Sequence, residues 1–174
     1  EQDLLEKASI DGLTGAWNRK SAEQKINMLM QEGDFNGFLF LLDIDDFKTV
    51  NDTMGHAIGD LALSTLVKIL KTHFRKDDII GRLGGDEFIV FMTNTELAAV
   101  AEAKGKGILN ILANSEITPH FTVSIGVAVY PAAGKDYESL YLAADRAMYV
   151  AKKSGKNRIH VDDGTGTAVT EKQD

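Results

Sequence analysis

The sequence contains no cysteine, only two prolines and no long apolar run. Without cysteine, neither disulfide bonds nor thiolate metal sites are available, and a reducing compartment is the simple expectation. No stretch approaches the ~20 apolar residues that a membrane-spanning helix needs, and no signal peptide is recognisable. We therefore expect a cytoplasmic domain without membrane contact of its own, although a longer protein could be anchored through an upstream region.

Basic residues are also in the minority. Lys and Arg number 19 against 26 Asp and Glu, which gives a net charge of −7. Nucleic-acid-binding domains usually present a basic surface, so this balance argues against that class of partner. The length of 174 residues and the hydrophobic content of 44% are sufficient for one domain with a proper core.

Apolar runs typical of strands alternate along the chain with amphipathic segments typical of helices. The continuous run Gly37–Ile44 predicts a central strand that is buried on both faces. Residues 79–83 and 88–92 predict two short strands, joined by a tight hairpin at Gly84 and Gly85. Further strands are predicted at 121–129 and 158–161, and helices at 19–32, 62–74, 96–113 and 140–151.

This order contains a β-α-β-β-α-β unit, the ferredoxin-like arrangement of an α+β fold. It predicts a largely antiparallel sheet with helices over one face. The end of Gly37–Ile44 then lies beside the hairpin, which brings Asp43 near Asp86. Residues 1–8 have the composition of the end of a longer helix, and residues 164–174 that of a solvated tail.

The predicted convergence of Asp43 and Asp86 suggests a metal site. Two carboxylates at the edge of an apolar sheet are unfavourable unless a cation lies between them. Mg²⁺ fits because it takes oxygen ligands, usually one or two carboxylates with waters and substrate phosphates. A pair of exposed, unconnected acids is the alternative. An EF-hand loop is excluded, because Phe47 and Lys48 stand where an oxygen ligand and a glycine are needed.

Backbone N–H groups and lysines near Asp43 suggest a phosphate-binding site. A short helix is predicted to begin at Asp46 and Phe47, whose N–H groups could hold phosphate oxygens, and Lys48 adds charge. A second basic cluster lies at Lys152, Lys153, Lys156 and Arg158. Cations near the end of a helix also favour its dipole, which is the structural alternative. Acids with two sources of lysine indicate a nucleoside triphosphate.

Asn51 and Asp60 carry groups that can recognise the edge of a base. An aspartate carboxylate can accept both N1–H and N2–H₂ of guanine, a pair that adenine lacks. Helix capping is the alternative role for both residues. The turn at Gly84 and Gly85 has no Cβ atoms, so a flat ligand could lie against its backbone.

Four blocks in the sequence resemble the GGDEF family of diguanylate cyclases. They are DGLTGAWNR at 11–19, DIDDFKTVNDTMGHAIGD at 43–60, GGDEF at 84–88 and ADRAMYVAKKSGKN at 144–157. One five-residue match is weak, whereas four blocks in the expected order are specific. The resemblance implies a fold of the nucleotide-cyclase and polymerase-palm type. It also implies that residues 1–10 end a signalling helix, 11–162 form the catalytic domain and 163–174 form a disordered tail.

The resemblance further implies an enzyme that condenses two GTP into cyclic di-GMP and releases two pyrophosphates. Each subunit would hold one GTP, so a homodimer would be required, and a sensor domain would lie upstream of this chain. By the family pattern, Asp43, the carbonyl of Ile44 and Asp86 would hold Mg²⁺, or Mn²⁺ in its place. The catalytic groups would be Asp86, Glu87 and Lys48, with the individual role of Glu87 left open. Guanine would be bound by Asn51 and Asp60, and the phosphates by Lys48, Lys152 and Lys156.

Arg75 and Asp78 match the inhibitory Arg-x-x-Asp motif of the family. The resemblance implies that they bind the product cyclic di-GMP away from the active site; a local surface ion pair is the alternative. Lys156 departs from the family pattern, in which arginine is common and supplies a bidentate fork instead of a point charge.

Two rival functions remain open. A catalytically inactive module would bind only GTP or cyclic di-GMP, but such proteins usually lose acids of the signature, and Asp86 and Glu87 are both present. An enzyme that makes a mixed cyclic GMP-AMP is the second rival. Asp60 argues against it, because a side chain neutral toward the base would be expected opposite adenine.

Overall fold

A computed structural model describes residue 4, residues 8–93 and residues 97–166. The strands are β1 (Trp17–Asn18), β2 (Gly37–Ile44), β3 (Ile79–Gly84), β4 (Glu87–Thr93), β5 (Val123–Tyr130) and β6 (Ile159–Asp162). The helices are α1 (Arg19–Gln31), α2 (Phe47–Met54), α3 (His56–His73), α4 (Ala98–Asn114) and α5 (Tyr137–Lys153). No helix in this part of the chain has the length and hydropathy to cross a membrane. Most of the helix predicted at 1–8 and of the tail predicted at 163–174 lies outside the described residues.

The strands form one mixed sheet in the order β1-β3-β4-β2-β5-β6. β2 lies between β4 and β5 and is antiparallel to both, whereas the outer pairs β1–β3 and β5–β6 are parallel. Strands β3, β4, β2 and β5 with helices α3 and α4 form the predicted βαββαβ unit, and the α+β fold is confirmed. β1 was not predicted, since its two residues are too few to show a pattern.

The central strand β2 is buried on both faces because its side chains alternate between two hydrophobic cores. Phe38, Phe40 and Leu42 belong to one core, which α3 and α4 complete. Leu39 and Leu41 belong to the other, which α1 and α5 complete. The prediction that helices cover only one face of the sheet is therefore wrong. Helices α3 and α4 cover one face, and α1 and α5 cover the other. The second set of apolar β2 side chains needs a cover of its own.

Helix α3 begins earlier than predicted, at His56 instead of residue 62. Gly55 separates it from α2 with a φ of +90°, a conformation that favours glycine. The first turn of α3 is mostly exposed, so hydrophobic periodicity could not reveal it. The two helices pack closely where Gly59 faces Asn51, because a Cβ on Gly59 would stand 1.8 Å from Asn51 Oδ1.

Helix α5 lies directly on β5 at Gly126. A Cβ there would stand 2.1 Å from the carbonyl oxygen of Ala144 and 2.3 Å from the backbone nitrogen of Met148. These are backbone atoms, which cannot turn aside as the tip of a flexible side chain can. The same helix carries Lys152 in its last turn, so this contact helps to determine where that lysine lies.

We predict that Gly126→Ala destabilises the domain. The added methyl group forces the helix away from the sheet, and overpacking of this kind costs on the order of 1–3 kcal/mol. For a domain of this size, each kcal/mol corresponds to a loss of roughly 2–4 °C in Tm. Thermal and urea unfolding measure the effect. Gly12→Ala is the matched control, since a Cβ on Gly12 meets nothing within 4 Å. Equal stability of the two variants would contradict this packing.

Candidate active site

A cavity of about 430 Å³ lies where β2 ends and α2 begins. Three parts of the chain that are distant in sequence meet there: the β2–α2 junction, the β3–β4 hairpin and the end of α5. The lining residues are Asp43, Ile44, Asp45, Asp46, Phe47, Lys48, Asn51, Asp86, Lys152 and Lys156. All but Asp45 were predicted as site residues. The lining does not include four others that were predicted, namely Asp60, Gly84, Gly85 and Glu87.

Asp43 and Asp86 come together because β2 and β4 are neighbours in the sheet. The backbone N–H of Ile44 donates to the carbonyl oxygen of Asp86 at 3.3 Å. Gly84 pairs with Glu87, so the hairpin turn consists of Gly85 and Asp86. Both glycines have positive φ, as the Gly-Gly pair predicts. Asp86 therefore lies in the turn itself instead of at the start of β4.

The two carboxylates are crowded and only partly compensated. Oδ2 of Asp43 accepts a hydrogen bond from Lys152, but its Oδ1 is buried and accepts none from any described residue. Asp86 is half-buried. Burial, then the side-chain contact with Asp43 and the charge of Asp43, raise the pKa of Asp86 to about 7. A buried carboxylate oxygen without a partner beside a second acid is an arrangement that a bound cation would satisfy.

The donor set fits a hard divalent cation that shares its shell with substrate. Asp43, Ile44 and Asp86 all line the cavity, and the oxygen ligands that they carry are two carboxylates and a backbone carbonyl. Within the described ranges, no group of three or more His, Cys, Asp or Glu side chains could hold a metal alone. Mg²⁺ usually takes one or two carboxylates and completes its shell with water and phosphates. A closed structural zinc site, in contrast, needs four protein ligands.

The first turn of α2 faces the cavity without a side-chain cap. Asp46 precedes the helix in a left-handed conformation, with a φ of +54°, and its side chain does not cap the helix. The N–H groups at the start of α2 are therefore available to phosphate oxygens. Phe47 and Lys48 line the cavity at this point. Phe47 also packs against the core of α3 and α4, which anchors the start of the helix.

Lys152 in the last turn of α5 and Lys156 in the loop that follows it are paired with acids of the β2–α2 junction. Lys152 pairs with Asp43, and Lys156 Nζ lies 2.6 Å from Asp46 Oδ1. The hydrogen bond from Lys156 and the charge of Asp46 raise the pKa of Lys156. Both ammonium groups are thus held at the cavity by acidic partners.

The two predicted base-reading residues lie on adjoining helices. Asn51 lines the cavity and packs over Gly59 of α3. Asp60 follows Gly59 in the first turns of α3, where it is exposed to solvent. Neither residue is an N-cap, since Asp46 precedes α2 and Gly55 precedes α3. Helix capping therefore does not explain either residue.

Glu87 lies outside the cavity. Asp43 and Glu87 are paired across β2 and β4, but the carboxylate of Glu87 accepts a hydrogen bond from Tyr141 Oη of α5 at 2.6 Å. Burial, followed by this hydrogen bond and the charge of Glu87, raises the pKa of Tyr141. Of the two acids in the signature, the structure brings only Asp86 to the cavity.

Asp45 is the cavity residue that sequence reasoning missed. It is a buried acid, 7% exposed, and its carboxylate accepts hydrogen bonds from Thr122, Ser124 and the backbone of Asn157. These partners are 77, 79 and 112 residues away in sequence. No local pattern could have revealed these partners. The position of Asp45 between two other acids was the only signal available in the sequence.

Arg75 and Asp78 line a second cavity of about 370 Å³, which shares no lining residue with the first. Asp78 is 8% exposed, and its Oδ2 accepts the backbone N–H of Arg75 at 2.8 Å. Burial raises the pKa of Asp78, although this hydrogen bond opposes the shift. The side chain of Arg75 is exposed. Trp17, Lys71 and Lys76 also line this cavity, which gives it two further cations and an aromatic ring.

The sequence matches known proteins over most of its length. Residues 8–158 match the family model described as diguanylate cyclase, GGDEF domain. The chain is 40% identical over 161 residues to the probable diguanylate cyclase DgcC of Escherichia coli K12. The alignment covers 87% of this chain and 42% of DgcC. The chain is also 34% identical over 164 residues to the response regulator PleD of Caulobacter vibrioides. This alignment covers 89% of the chain and 36% of PleD. The chain thus spans less than half the length of these relatives.

The fold matches solved structures of the same kind. The coiled coil and GGDEF domain of DgcB from Caulobacter crescentus, solved in complex with c-di-GMP, aligns with a TM-score of 0.82 and 27% identity. The alignment covers 92% of this chain and 89% of the DgcB chain. With a family model matched over residues 8–158 and the same fold in a solved GGDEF domain, this chain belongs to the GGDEF-domain family of diguanylate cyclases.

Proposed function

We propose that this domain is a diguanylate cyclase, which condenses two GTP into cyclic di-GMP and releases two pyrophosphates. The observation that carries the proposal is the pairing of Asp43 and Asp86 at one cavity, with a buried Asp43 oxygen that lacks a partner among the described residues. Lys152 and Lys156 at the same cavity supply charge for a triphosphate. The relative DgcC, named a probable diguanylate cyclase, supports the same activity.

Substrate binding would exchange the charged partners of both lysines. Lys152 and Lys156 are neutralised by Asp43 and Asp46 in the structure. Phosphate oxygens would take over both ammonium groups and the N–H groups at the start of α2. Asp43, released from Lys152, would then hold the divalent cation together with Asp86 and the carbonyl of Ile44.

Guanine would extend from the cavity toward the junction of α2 and α3. Asn51 lies at the cavity and Asp60 just beyond it, on the exposed side of the same helix pair. A carboxylate there can accept both N1–H and N2–H₂ of guanine, a pair of adjacent donors that adenine lacks. This position supports GTP over ATP as substrate and argues against a mixed cyclic GMP-AMP product.

The reaction consists of two equivalent transfers. The 3′-hydroxyl oxygen of one GTP forms a bond to the α-phosphorus of the other, and the bond from that phosphorus to pyrophosphate breaks. Mg²⁺, or Mn²⁺ in its place, would stabilise the charge that develops on the transferring oxygens. Lys48, Lys152 and Lys156 would stabilise the departing pyrophosphate. Since Tyr141 holds Glu87 outside the cavity, Asp86 and water are the candidates to accept the hydroxyl proton.

Catalysis requires two copies of the domain. The cavity serves one GTP, and the product contains two identical linkages, so two domains must face each other as a homodimer with one GTP each. Parts of a longer protein outside this chain, such as a sensor domain, would then control activity by controlling that encounter.

We also propose that the cavity at Arg75 and Asp78 binds the product and limits its synthesis. A guanidinium can form two parallel hydrogen bonds to a phosphate or to a guanine edge. Lys71 and Lys76 add positive charge beside it. The related DgcB domain was solved with c-di-GMP bound. Because this cavity shares no residue with the first, bound product would act by holding two domains apart instead of occupying the GTP site.

We predict that Asp86→Asn lowers turnover by at least ~100-fold, the loss typical of deleting one electrostatic stabiliser. The variant should also be more stable than wild type without metal. The raised pKa of Asp86, about 7, means that the folded protein holds this proton more tightly than the unfolded chain. Metal-free wild type should therefore lose stability, relative to the variant, as the pH rises from about 4 to 7.

Product formation with Mg²⁺ and thermal unfolding across this pH range measure the two effects. Asp34→Asn, an exposed acid outside the cavity, is the matched control. Near-normal turnover of Asp86→Asn would exclude the metal assignment.

We predict that Asp60→Ala weakens GTP binding by about tenfold or more and leaves ATP binding unchanged. The variant loses hydrogen bonds between a charged acceptor and guanine, each worth roughly 1.5–3 kcal/mol. Competition binding with both nucleotides measures the change, with the exposed Asp52→Ala on α2 as control. Equal losses for GTP and ATP would show that Asp60 does not read the base. Separation of the products formed from mixed GTP and ATP tests the mixed-product and inactive-module alternatives.

We predict that Arg75→Ala keeps an initial rate close to that of wild type but shows no slowing as product accumulates. The substitution removes the fork that would bind cyclic di-GMP and leaves the first cavity intact. Progress curves and calorimetric titration with cyclic di-GMP measure the effect. Arg19→Ala, an exposed arginine at the start of α1, is the control. Unaltered slowing in Arg75→Ala would leave the pair with a structural role only.

A further inference from the structure

Asp45 is a buried carboxylate that the proposed catalytic roles do not use. It stands two residues after Asp43 and directly before Asp46, both of which pair with lysines at the cavity. Its own backbone N–H donates to the carbonyl of Thr122 at 2.9 Å, which continues the contact of β2 with β5. Burying a carboxylate is costly unless its oxygens are satisfied. The hydrogen-bond partners of the Asp45 carboxylate therefore indicate which parts of the chain it holds together.

The carboxylate of Asp45 joins two parts of the chain. Oδ1 accepts a hydrogen bond from Ser124 Oγ at 2.6 Å. Oδ2 accepts one from Thr122 Oγ1 at 2.7 Å and one from the backbone N–H of Asn157 at 3.0 Å. Ser124 lies in β5 and Thr122 directly precedes the strand, and both donors orient the carboxylate. The third belongs to the loop that follows α5.

That loop has an unusual backbone at the point where Asp45 binds it. Lys156 has a φ of +62° and Asn157 a φ of +48°, so two consecutive residues other than glycine are left-handed. Side chains disfavour this conformation, lysine more than asparagine, and it persists where surrounding contacts determine it. The backbone N–H of Lys156 is bound to the carbonyl of Ala151 at 3.1 Å, and Asp45 binds the next N–H along the chain.

The contacts of this loop determine where the side chain of Lys156 lies. Asp45 and Asp46 are consecutive, and they hold two points of the same loop: Asp45 holds the backbone at Asn157, and Asp46 holds Nζ of Lys156. When a phosphate displaces Asp46, backbone contacts remain to keep Lys156 directed at the cavity, and the one from Asp45 is the contact that ties the loop to the β2–α2 junction.

We propose that Asp45 is a positioning residue, which fixes the left-handed loop and thereby presents Lys156 to the substrate phosphates. The inference rests on the proposed GTP site. It assigns Asp45 neither a metal nor a proton: the residue acts on the triphosphate through the Asn157 amide and Lys156. Loss of Asp45 should therefore weaken recognition of phosphates and leave recognition of the guanine base unchanged.

Asp45→Ala and Asp45→Asn separate this role from a loss of charge. In Asp45→Asn the side-chain oxygen can still face Thr122 and Asn157 while the amide nitrogen donates to Ser124 Oγ. Asp45→Ala removes every acceptor. The probes are guanosine and a GTP analogue with a methylene bridge between the α- and β-phosphates, which cannot be cyclised. NMR titration gives both affinities, and hydrogen exchange reports the Asn157 amide.

We expect Asp45→Ala to bind the analogue about tenfold more weakly. A change of this size corresponds to losing most of one hydrogen bond to a charged group. The affinity of this variant for guanosine should be unchanged and the Asn157 amide should lose protection. Asp45→Asn should stay within about threefold of wild type on the same basis. In a Lys156→Ala background, Asp45→Ala should add less than about twofold, because the two residues act as one unit.

Several results would overturn the proposal: unchanged affinity for the analogue in Asp45→Ala, equal losses for the analogue and guanosine, or additive effects with Lys156→Ala. If Asp45→Ala shows no cooperative unfolding, the Thr122→Val, Ser124→Ala double variant carries the test. It removes the donors that orient the carboxylate, and unchanged affinity there would be equally decisive. Wild type that binds neither probe would instead refute the proposed GTP site, and this inference with it.

Discussion

The proximity of two carboxylates at the end of a fully buried strand is the constraint on which the site depends. β2 has its register determined by hydrogen bonds to β4 and β5, and its side chains fill a core on each face. Asp43 therefore has little freedom to withdraw from the hairpin turn that carries Asp86. Burial, together with the neighbouring Asp43 carboxylate, raises the pKa of Asp86, and two crowded acids favour a cation at this point more strongly than either acid would alone.

Three acids follow one another closely at the β2–α2 junction, and the change from strand to helix directs them differently. Asp43 faces the hairpin and Lys152, Asp45 turns inward to β5, and Asp46 turns outward to Lys156. A regular strand would place alternate residues on the same face. The strand ends at Ile44 and Asp46 is left-handed, so the three carboxylates of one short segment meet three different sets of partners.

Catalysis and product control would use separate surfaces of one small domain. The first cavity lies at the end of β2, whereas the second lies among β1, the end of α3 and the start of β3. Because the two cavities have no lining residue in common, a substitution in one cavity does not directly alter the other. The relatives DgcC and PleD are more than twice as long as this chain.

The sequence alone determined the features that depend on local chemistry. A continuous apolar run implied a strand buried on both faces, a Gly-Gly pair implied a hairpin with positive φ, and together they implied that Asp43 approaches Asp86. Only the tertiary structure decided which neighbour each polar side chain meets. Glu87 is turned to Tyr141, and Asp45 is bound by residues at least 77 positions away. Hydrogen bonds between distant segments leave no periodic trace in the sequence, because they depend on how whole elements pack and not on spacing along the chain.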